Sequence, residues 1–216
     1  MRTIAFVTQK GGAGKSTLVA SLAVAASEAG ERVVILDMDP QMSLVKWAKV
    51  RGKSEIAVEA AAPGKLKPVL AALEKAGVTL VVLDTPAGET PASEAAIRHA
   101  DLTIVPSRPN VFDLWSTEAT RKAVKAARKD YVFLLNQCPP SQQSARIEEG
   151  VTALEAMGGL ISPPVSARVD HQEAARYGLG VTEIAPSGDA ADELRKLWNS
   201  VKRRVGKAQG AQRRAA

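Results

Sequence analysis

Sulfur chemistry is nearly absent from this chain: a single cysteine, Cys138, occurs in 216 residues. That excludes a disulfide framework and any cysteine-ligated metal cluster within one chain. The two histidines, His99 and His171, lie far apart without ligand spacing and read as surface or packing residues. Aromatic residues make up only 4% of the chain while apolar residues make up 45%. Much of that apolar content is Ala, Val and Leu, the mixture expected of helices packed on a buried parallel sheet. Trp47, Trp115 and Trp198 sit on predicted helix faces and read as packing residues. No apolar run approaches the roughly 20 residues that a membrane-spanning helix needs. Met1-Arg2 leads straight into a strand rather than a signal peptide, so a cytoplasmic protein is expected.

Acids are missing from one place in particular. None follows Glu193, whereas Arg195, Lys196, Lys202, Arg203, Arg204, Lys207, Arg213 and Arg214 do follow it. With a net charge of +6, the first 194 residues therefore sum to about −2. The basic end reads either as an electrostatic foot for nucleic acid or anionic membrane, or as a solubilising helix end with a frayed tail.

What is present is a regular alternation of short apolar runs and helical patterns. Strands are predicted at 3–8, 32–37, 55–60, 79–84, 102–106, 131–137 and 160–166, the last broken by Pro163-Pro164. Helices are predicted at 16–29, 41–50, 66–75, 91–100, 113–128, 145–157, 171–177 and 190–205. The pattern calls for an α/β fold: one domain with a mostly parallel twisted sheet and helices on both faces. It is expected to span residues 1–205, with a basic, disordered tail at 206–216.

The strongest motif is Lys10-Gly11-Gly12-Ala13-Gly14-Lys15-Ser16-Thr17, directly after an apolar strand and opening a helix. Three glycines in four residues let the backbone curl so that its N–H groups converge on phosphate oxygens. Lys15 is placed to reach the β- and γ-phosphates and the Ser16 hydroxyl to ligate Mg²⁺. Two further segments deliver carboxylates to strand ends, where open α/β sheets bind ligands. These are Asp37-Met38-Asp39-Pro40-Gln41 and Leu80-Val81-Val82-Leu83-Asp84, followed by Thr85-Pro86-Ala87-Gly88. A carboxylate after four apolar residues is costly to bury without a cation. Each could instead be an ordinary strand-end or helix-capping acid.

The phosphate loop departs from the standard pattern: Gln9 replaces its first glycine and Lys10 precedes the glycine pair. It resembles the deviant Walker A motif of the ParA/MinD superfamily of P-loop ATPases. The likeness runs from about residue 3 to about 205. It is nearest the small ParA proteins of plasmid partition, through Asp39-Pro40-Gln41-Met42-Ser43-Leu44, Lys46-Trp47, Val105-Pro106-Ser107-Arg108-Pro109 and Asp113-Leu114-Trp115. The resemblance implies a P-loop NTPase fold with ATP and Mg²⁺ as cofactors. Gly11, Gly12, Ala13, Gly14, Lys15, Ser16 and Thr17 would bind the phosphates, and Ser16, Asp37 and Asp84 the metal or its shell. Lys15 and Asp39 would direct hydrolysis, Asp39 by orienting the attacking water. Lys10 would reach across an ATP-bound homodimer to the partner's phosphates. Asn136 would read adenine, unless it only forms the turn before Pro139-Pro140. Pro164 and Ser166 would belong to the loop over the base.

The resemblance also implies a switch: the dimer binds DNA non-specifically, through Arg195, Lys196, Lys202, Arg203, Arg204 and Lys207, and hydrolysis releases it. A ParB-like or other adaptor would stimulate turnover, and the protein would associate with the nucleoid. Plasmid partition is the first expectation for the cargo. A protein assembly, such as a chemoreceptor cluster or microcompartment, is the alternative. The phosphate loop begins near residue 9, so no helix-turn-helix domain precedes it in this sequence, and operator recognition is not expected. Leu194, Leu197, Trp198, Val201 and Val205 follow helical spacing, as in a MinD-like membrane helix, but the family's last helix packs on the sheet. No large apolar residue follows Val205, so DNA is favoured over lipid.

Overall fold

The structure is a computed structural model describing residues 1–52, 55–140 and 145–215, with side chains described through Gly206. Its elements follow the predicted alternation: β1 (Arg2–Phe6), α1 (Lys15–Glu28), β2 (Val33–Asp37), α2 (Ser43–Arg51) and β3 (Ala57–Ala60). A short 3-10 turn (Pro63–Lys65) leads into α3 (Leu66–Lys75), then β4 (Leu80–Asp84), α4 (Pro91–His99), β5 (Leu102–Ser107) and α5 (Val111–Ala126). The chain continues through β6 (Tyr131–Leu135), α6 (Ala145–Ala156), α7 (Val169–Arg176), α8 (Val181–Ile184) and α9 (Asp189–Ala215). The 3-10 turn and the four-residue α8 are too short to leave a periodic signal.

Among the described residues the strands form one six-stranded sheet in the order β3-β2-β4-β1-β5-β6, with every neighbouring pair parallel. Residues within the central strands alternate between two apolar layers. Ile4, Phe6, Ile35, Val82 and Ile104 pack with α1, α2, α7, α8 and α9. Ala5, Leu36, Leu83, Val105 and Phe133 pack with α3, α4, α5 and α6. Burial on both faces is why these strands read as continuous apolar runs rather than alternating ones.

Three expectations change. No strand forms across 160–166; two isolated bridges, Phe133 to Leu160 and Cys138 to Ser166, replace it. Pro163 and Pro164 have no N–H to give a ladder. The last helix does not end at Val205 but runs on through Ala215, since neither Gly206 nor Gly210 breaks it and the surrounding Ala, Lys, Gln and Arg are good helix formers. The expected 205/206 boundary is therefore not marked by a change of secondary structure. Trp115 is not a packing residue: it is 69% exposed, while Trp47 and Trp198 are buried.

The apolar stripe of α9 is core. Leu194, Leu197, Trp198, Val201 and Val205 are all buried against the sheet. Among the described residues no helix is long and apolar enough to cross a membrane.

Where α7 ends, Gly178 adopts a left-handed φ of 68° and passes the end of α2 so closely that a Cβ would lie 2.3 Å from the Arg51 nitrogen. Its carbonyl accepts from Arg51 Nη1 at 2.9 Å. Gly178→Ala is expected to cost about 2 kcal/mol, from strain and overpacking together. Thermal unfolding should then fall by roughly 4–8 °C; an unchanged midpoint would contradict the close approach.

Candidate functional site

The parallel register brings the two key strand ends side by side. Phe6 of β1 pairs with Asp84 of β4, and Asp37 of β2 pairs with the same Asp84. The glycine-rich loop thus leaves β1 directly over two carboxylates. Gly12 and Gly14 take left-handed φ values of 78° and 81°. Gly14 caps α1, and a Cβ there would lie 2.5 Å from the Asn136 amide nitrogen. The loop's N–H groups and the α1 N-terminus, with its partial positive charge, form the anion cradle the sequence indicates.

Inside the cradle Lys15 is buried, and its Nζ donates to Thr8 Oγ1 at 3.0 Å. Burial lowers its pKa, while the Asp84 and Asp39 carboxylates act in the opposite direction. Ser16 Oγ donates to Asp84 Oδ2 at 2.6 Å. Asp84 is fully buried, and its other oxygen, Oδ1, has no hydrogen-bond partner. Burial pushes the Asp84 pKa up to about 7, despite the Ser16 hydrogen bond. An orphaned carboxylate oxygen beside a hydroxyl and below a phosphate cradle is a donor set suited to Mg²⁺. Among the described residues no three His, Cys, Asp or Glu side chains group to hold a metal by themselves.

Asp37 and Asp39 take different positions. Asp37 is buried, and both its oxygens accept backbone N–H groups: Asp39 at 3.1 Å, Leu44 at 2.9 Å and Val45 at 3.2 Å. It secures the start of α2. Asp39 is half-buried and accepts from the Gln41 N–H through Oδ1 at 2.9 Å. Its charge still acts on Lys15.

Lys10 lies at the outer lip of the loop and turns away from it. Its Nζ is 3.6 Å from Asp113 Oδ1 and 5.3 Å from the centre of the Phe112 ring, with its side chain 43% exposed. Asp113 is held by the Arg108 guanidinium, whose Nη2 donates to Oδ1 at 3.2 Å and whose Nε donates to Oδ2.

Asn136 is buried after the end of β6. Its amide donates to the Ala13 carbonyl at 2.7 Å, and Gln137 donates to the Gly12 carbonyl at 2.9 Å, so both brace the loop from beneath. Pro164 and Ser166 line a cavity of about 560 Å³ next to this brace, together with Cys138, Arg168 and Glu193. Ser166 donates through its N–H and its hydroxyl to Glu193, at 3.0 and 2.8 Å. The sequence reading assigned no role to Thr8, Arg108, Phe112 or Gln137, although Arg108 lay in a quoted segment and the other three each adjoined a residue already named. Gly88 is tied back as well, its N–H donating to the Thr8 carbonyl at 2.9 Å.

The basic residues of α9 have neighbours of their own. On α9, Arg195 donates to the Pro186 carbonyl at 2.6 Å and lies 3.9 Å from Glu28. Lys196 pairs with Asp192 at 2.6 Å, Lys202 with Glu31 at 3.1 Å and Arg204 with Asp130 at 2.6 Å. Arg203 donates to Ser200 at 3.2 Å. The helix packs so that its basic flank meets acids of the body and of its own first turns. The Lys207 side chain lies outside the described residues.

Residues 4–181 match the CobQ/CobB/MinD/ParA nucleotide binding domain. The chain belongs to this family. It is 32% identical over 84% of its length to a maintenance of carboxysome distribution protein A from Gloeobacter kilaueensis, covering 84% of that protein. It is 26% identical to the chromosome-partitioning ATPase Soj of Thermus thermophilus, over 96% of this chain and 98% of Soj. In fold it matches the cell division ATPase MinD of Pyrococcus furiosus with a TM-score of 0.76, at 22% identity over 94% of this chain and 98% of MinD. The protein is thus a ParA/MinD-type P-loop nucleotide-binding protein.

The buried carboxylate makes stability depend on pH in a defined direction. Asp84 keeps its proton up to about pH 7 when folded but releases it in the ordinary carboxylate range, near 3.8, when unfolded. Between those values the folded protein binds the extra proton, so stability falls as pH rises through that window. Asp84→Asn is expected to remove this contribution. In urea unfolding without nucleotide or metal, the variant should gain on the wild type as pH goes from 5 to 8; equal pH slopes would reject the buried, protonated state.

Proposed function

We propose that this ParA/MinD-type protein is an ATP-driven dimerising switch that positions a protein assembly along DNA. The orientation of Lys10 carries the reading. Lys15 and the loop amides already supply charge to the phosphates from within, whereas Lys10 turns outward at the lip, where a second copy can receive it.

In the proposed cycle the loop N–H groups and Lys15 hold the β- and γ-phosphates, and Ser16 and Asp84 hold Mg²⁺. The metal, when bound, neutralises charge on the phosphate oxygens. Asp39 orients the attacking water near the γ-phosphate. Lys10 leaves Asp113 and places its charge at the partner's phosphates, as an arginine finger does in other ATPases. Gly88, tied to Thr8 at the root of the loop, carries loss of the γ-phosphate into the segment after β4, and the dimer opens. An adaptor protein stimulates this step.

The likeness to a protein named for carboxysome distribution favours a protein cargo over the plasmid first expected from the sequence. The likeness to Soj supports a second reading, in which the cargo is a chromosome or plasmid carried by a DNA-bound adaptor.

Lys15→Ala is expected to abolish ATP turnover. Asp39→Ala should slow it by about 10²-fold or more and accumulate an ATP-bound dimer in size-exclusion chromatography. Lys10→Ala should bind ATP yet remain monomeric; an ATP-dependent Lys10→Ala dimer would reject the bridging role. Tagged Asp39→Ala recovered from its native cells should carry an assembly-associated adaptor, and recovery of a centromere-binding protein instead would select the second reading.

A further inference from the structure

Asp113 holds two cations at once, one more than its own charge needs. The buried carboxylate receives Arg108 Nε at Oδ2 and Arg108 Nη2 at Oδ1, the latter at 3.2 Å. Lys10 Nζ lies 3.6 Å from the same Oδ1. Two positive groups therefore share one oxygen, and they hold it unequally. The guanidinium makes two hydrogen bonds in a fixed fork, whereas the ammonium makes one longer contact from an exposed, flexible stem. Burial works against charge on Asp113, yet its pKa is lowered, by the Arg108 hydrogen bond and charge, then by Asn110, and least by Lys10. Arg108 is the principal counter-ion of Asp113, and Lys10 is the surplus one.

The stronger pair is local to one turn. Asn110 caps α5 by accepting the Asp113 N–H at 3.0 Å, while the Asn110 N–H and the Ser107 hydroxyl donate to the Arg108 carbonyl at 2.8 and 3.1 Å. Arg108 and Asp113 are thus fixed against each other by the segment that joins β5 to α5. Lys10 reaches them from the phosphate loop, a separate part of the chain. The guanidinium also faces that loop. Among the described residues its Nη1 has no hydrogen-bond partner, and a Cβ on Gly12 would lie 3.9 Å from it.

A cation that shares a buried carboxylate can leave without stranding it. Were Lys10 the only partner, its departure would leave an unpaired buried charge, the costly case for any ion pair. With Arg108 in place, Asp113 stays paired when Lys10 goes. We propose that Arg108 is a positioning residue for Lys10: it keeps Asp113 neutralised and so sets how readily Lys10 is released to a second copy. Asp113 and Arg108 then act in opposite senses. The carboxylate retains the lysine at rest, and the guanidinium weakens that hold. This role rests on the reading of Lys10 as the residue that crosses between subunits, and it makes the Arg108–Asp113 pair the element that sets the threshold for the nucleotide-bound dimer.

The test measures the dimer dissociation constant of wild type, Arg108→Gln, Asp113→Asn and the double variant by analytical ultracentrifugation with Mg²⁺ and the non-hydrolysable analogue AMPPNP. Thermal unfolding, and binding of a fluorescent ATP at protein concentrations too low for dimers, establish that each variant folds and loads nucleotide. A lysine left as the only cation on a buried carboxylate should be held at least about tenfold more firmly than one that shares it. A dimer draws on two such lysines, so Arg108→Gln is expected to raise the dissociation constant by about a hundredfold. Arg108→Lys, which restores a cation beside Asp113, should recover most of that loss and reads the role without altering Asp113. Asp113→Asn should lower the constant severalfold, because nothing then retains Lys10. In the double variant the arginine has no charge to neutralise, and the constant should lie within about twofold of Asp113→Asn alone. An Arg108→Gln dimer as tight as wild type would overturn the role. A loss that persists undiminished in the double variant would also overturn it, and would assign Arg108 to a direct contact with nucleotide phosphates through Nη1. Absence of any nucleotide-dependent dimer in wild type would instead overturn the reading of Lys10 on which the role rests.

Discussion

A carboxylate at the end of an entirely buried strand is the constraint around which this molecule is arranged. Leu80, Val81, Val82 and Leu83 are fully buried and deliver Asp84 to a place with no access to water. A carboxylate there stays neutral or finds cationic and hydrogen-bonding neighbours. Its pKa near 7 reflects the first solution, and Ser16 and Lys15 begin the second. Both neighbours open α1, which the loop leaving β1 delivers, so the parallel pairing of β1 with β4 is a chemical requirement as well as a packing one. The same pairing sets Thr8 where its hydroxyl receives Lys15 and its carbonyl receives Gly88.

The sheet was legible because burial on both faces leaves uninterrupted apolar runs, and helix α3 was predicted with both its ends correct because Leu66 and Gly77 bound a clean amphipathic pattern. The phosphate loop was legible because glycine content there is dictated by backbone geometry rather than by neighbours. Side-chain commitments were not legible. Asp37 and Asp39 are alike in sequence, yet Asp37 is used up by three backbone N–H groups and Asp39 is not. The bond from the Asn136 amide to the Ala13 carbonyl was not legible either, because it depends on β6 lying two strands from β1. Trp115 follows a helical stripe that the packing of α5 leaves in solvent.

Counting charges along the chain leaves out ion pairing for a related reason. The eight basic residues after Glu193 form a run in sequence, but helix α9 is pinned by its apolar stripe to the sheet, and that fixes which body residues its flanks meet. Those residues include Glu28, Glu31 and Asp130, all remote in sequence. Each exposed pair contributes little to stability. Each nevertheless places an anion beside the cation that a phosphate would need, and the local field is reduced accordingly.

In the proposed switch, weak contacts hold Lys10 at rest. Its partner Asp113 is buried, but Lys10 itself is substantially exposed and the 3.6 Å separation is long for an ion pair. An exposed pair of this kind is worth about 0–1 kcal/mol, and an exposed cation over a phenylalanine ring about 0.5–1 kcal/mol. Together they favour the docked lysine by roughly thirtyfold at most. That is enough to keep an unpaired ammonium from folding back into its own cradle beside Lys15. It is also small against a charge-assisted contact with a triphosphate in a site closed off from water, where electrostatic interactions strengthen severalfold. A firmer clamp, such as a bidentate carboxylate held at short distance, would have made release of Lys10 the costly step. The firm clamp in this structure is the one between Arg108 and Asp113, which fixes the resting place and leaves the lysine free to go.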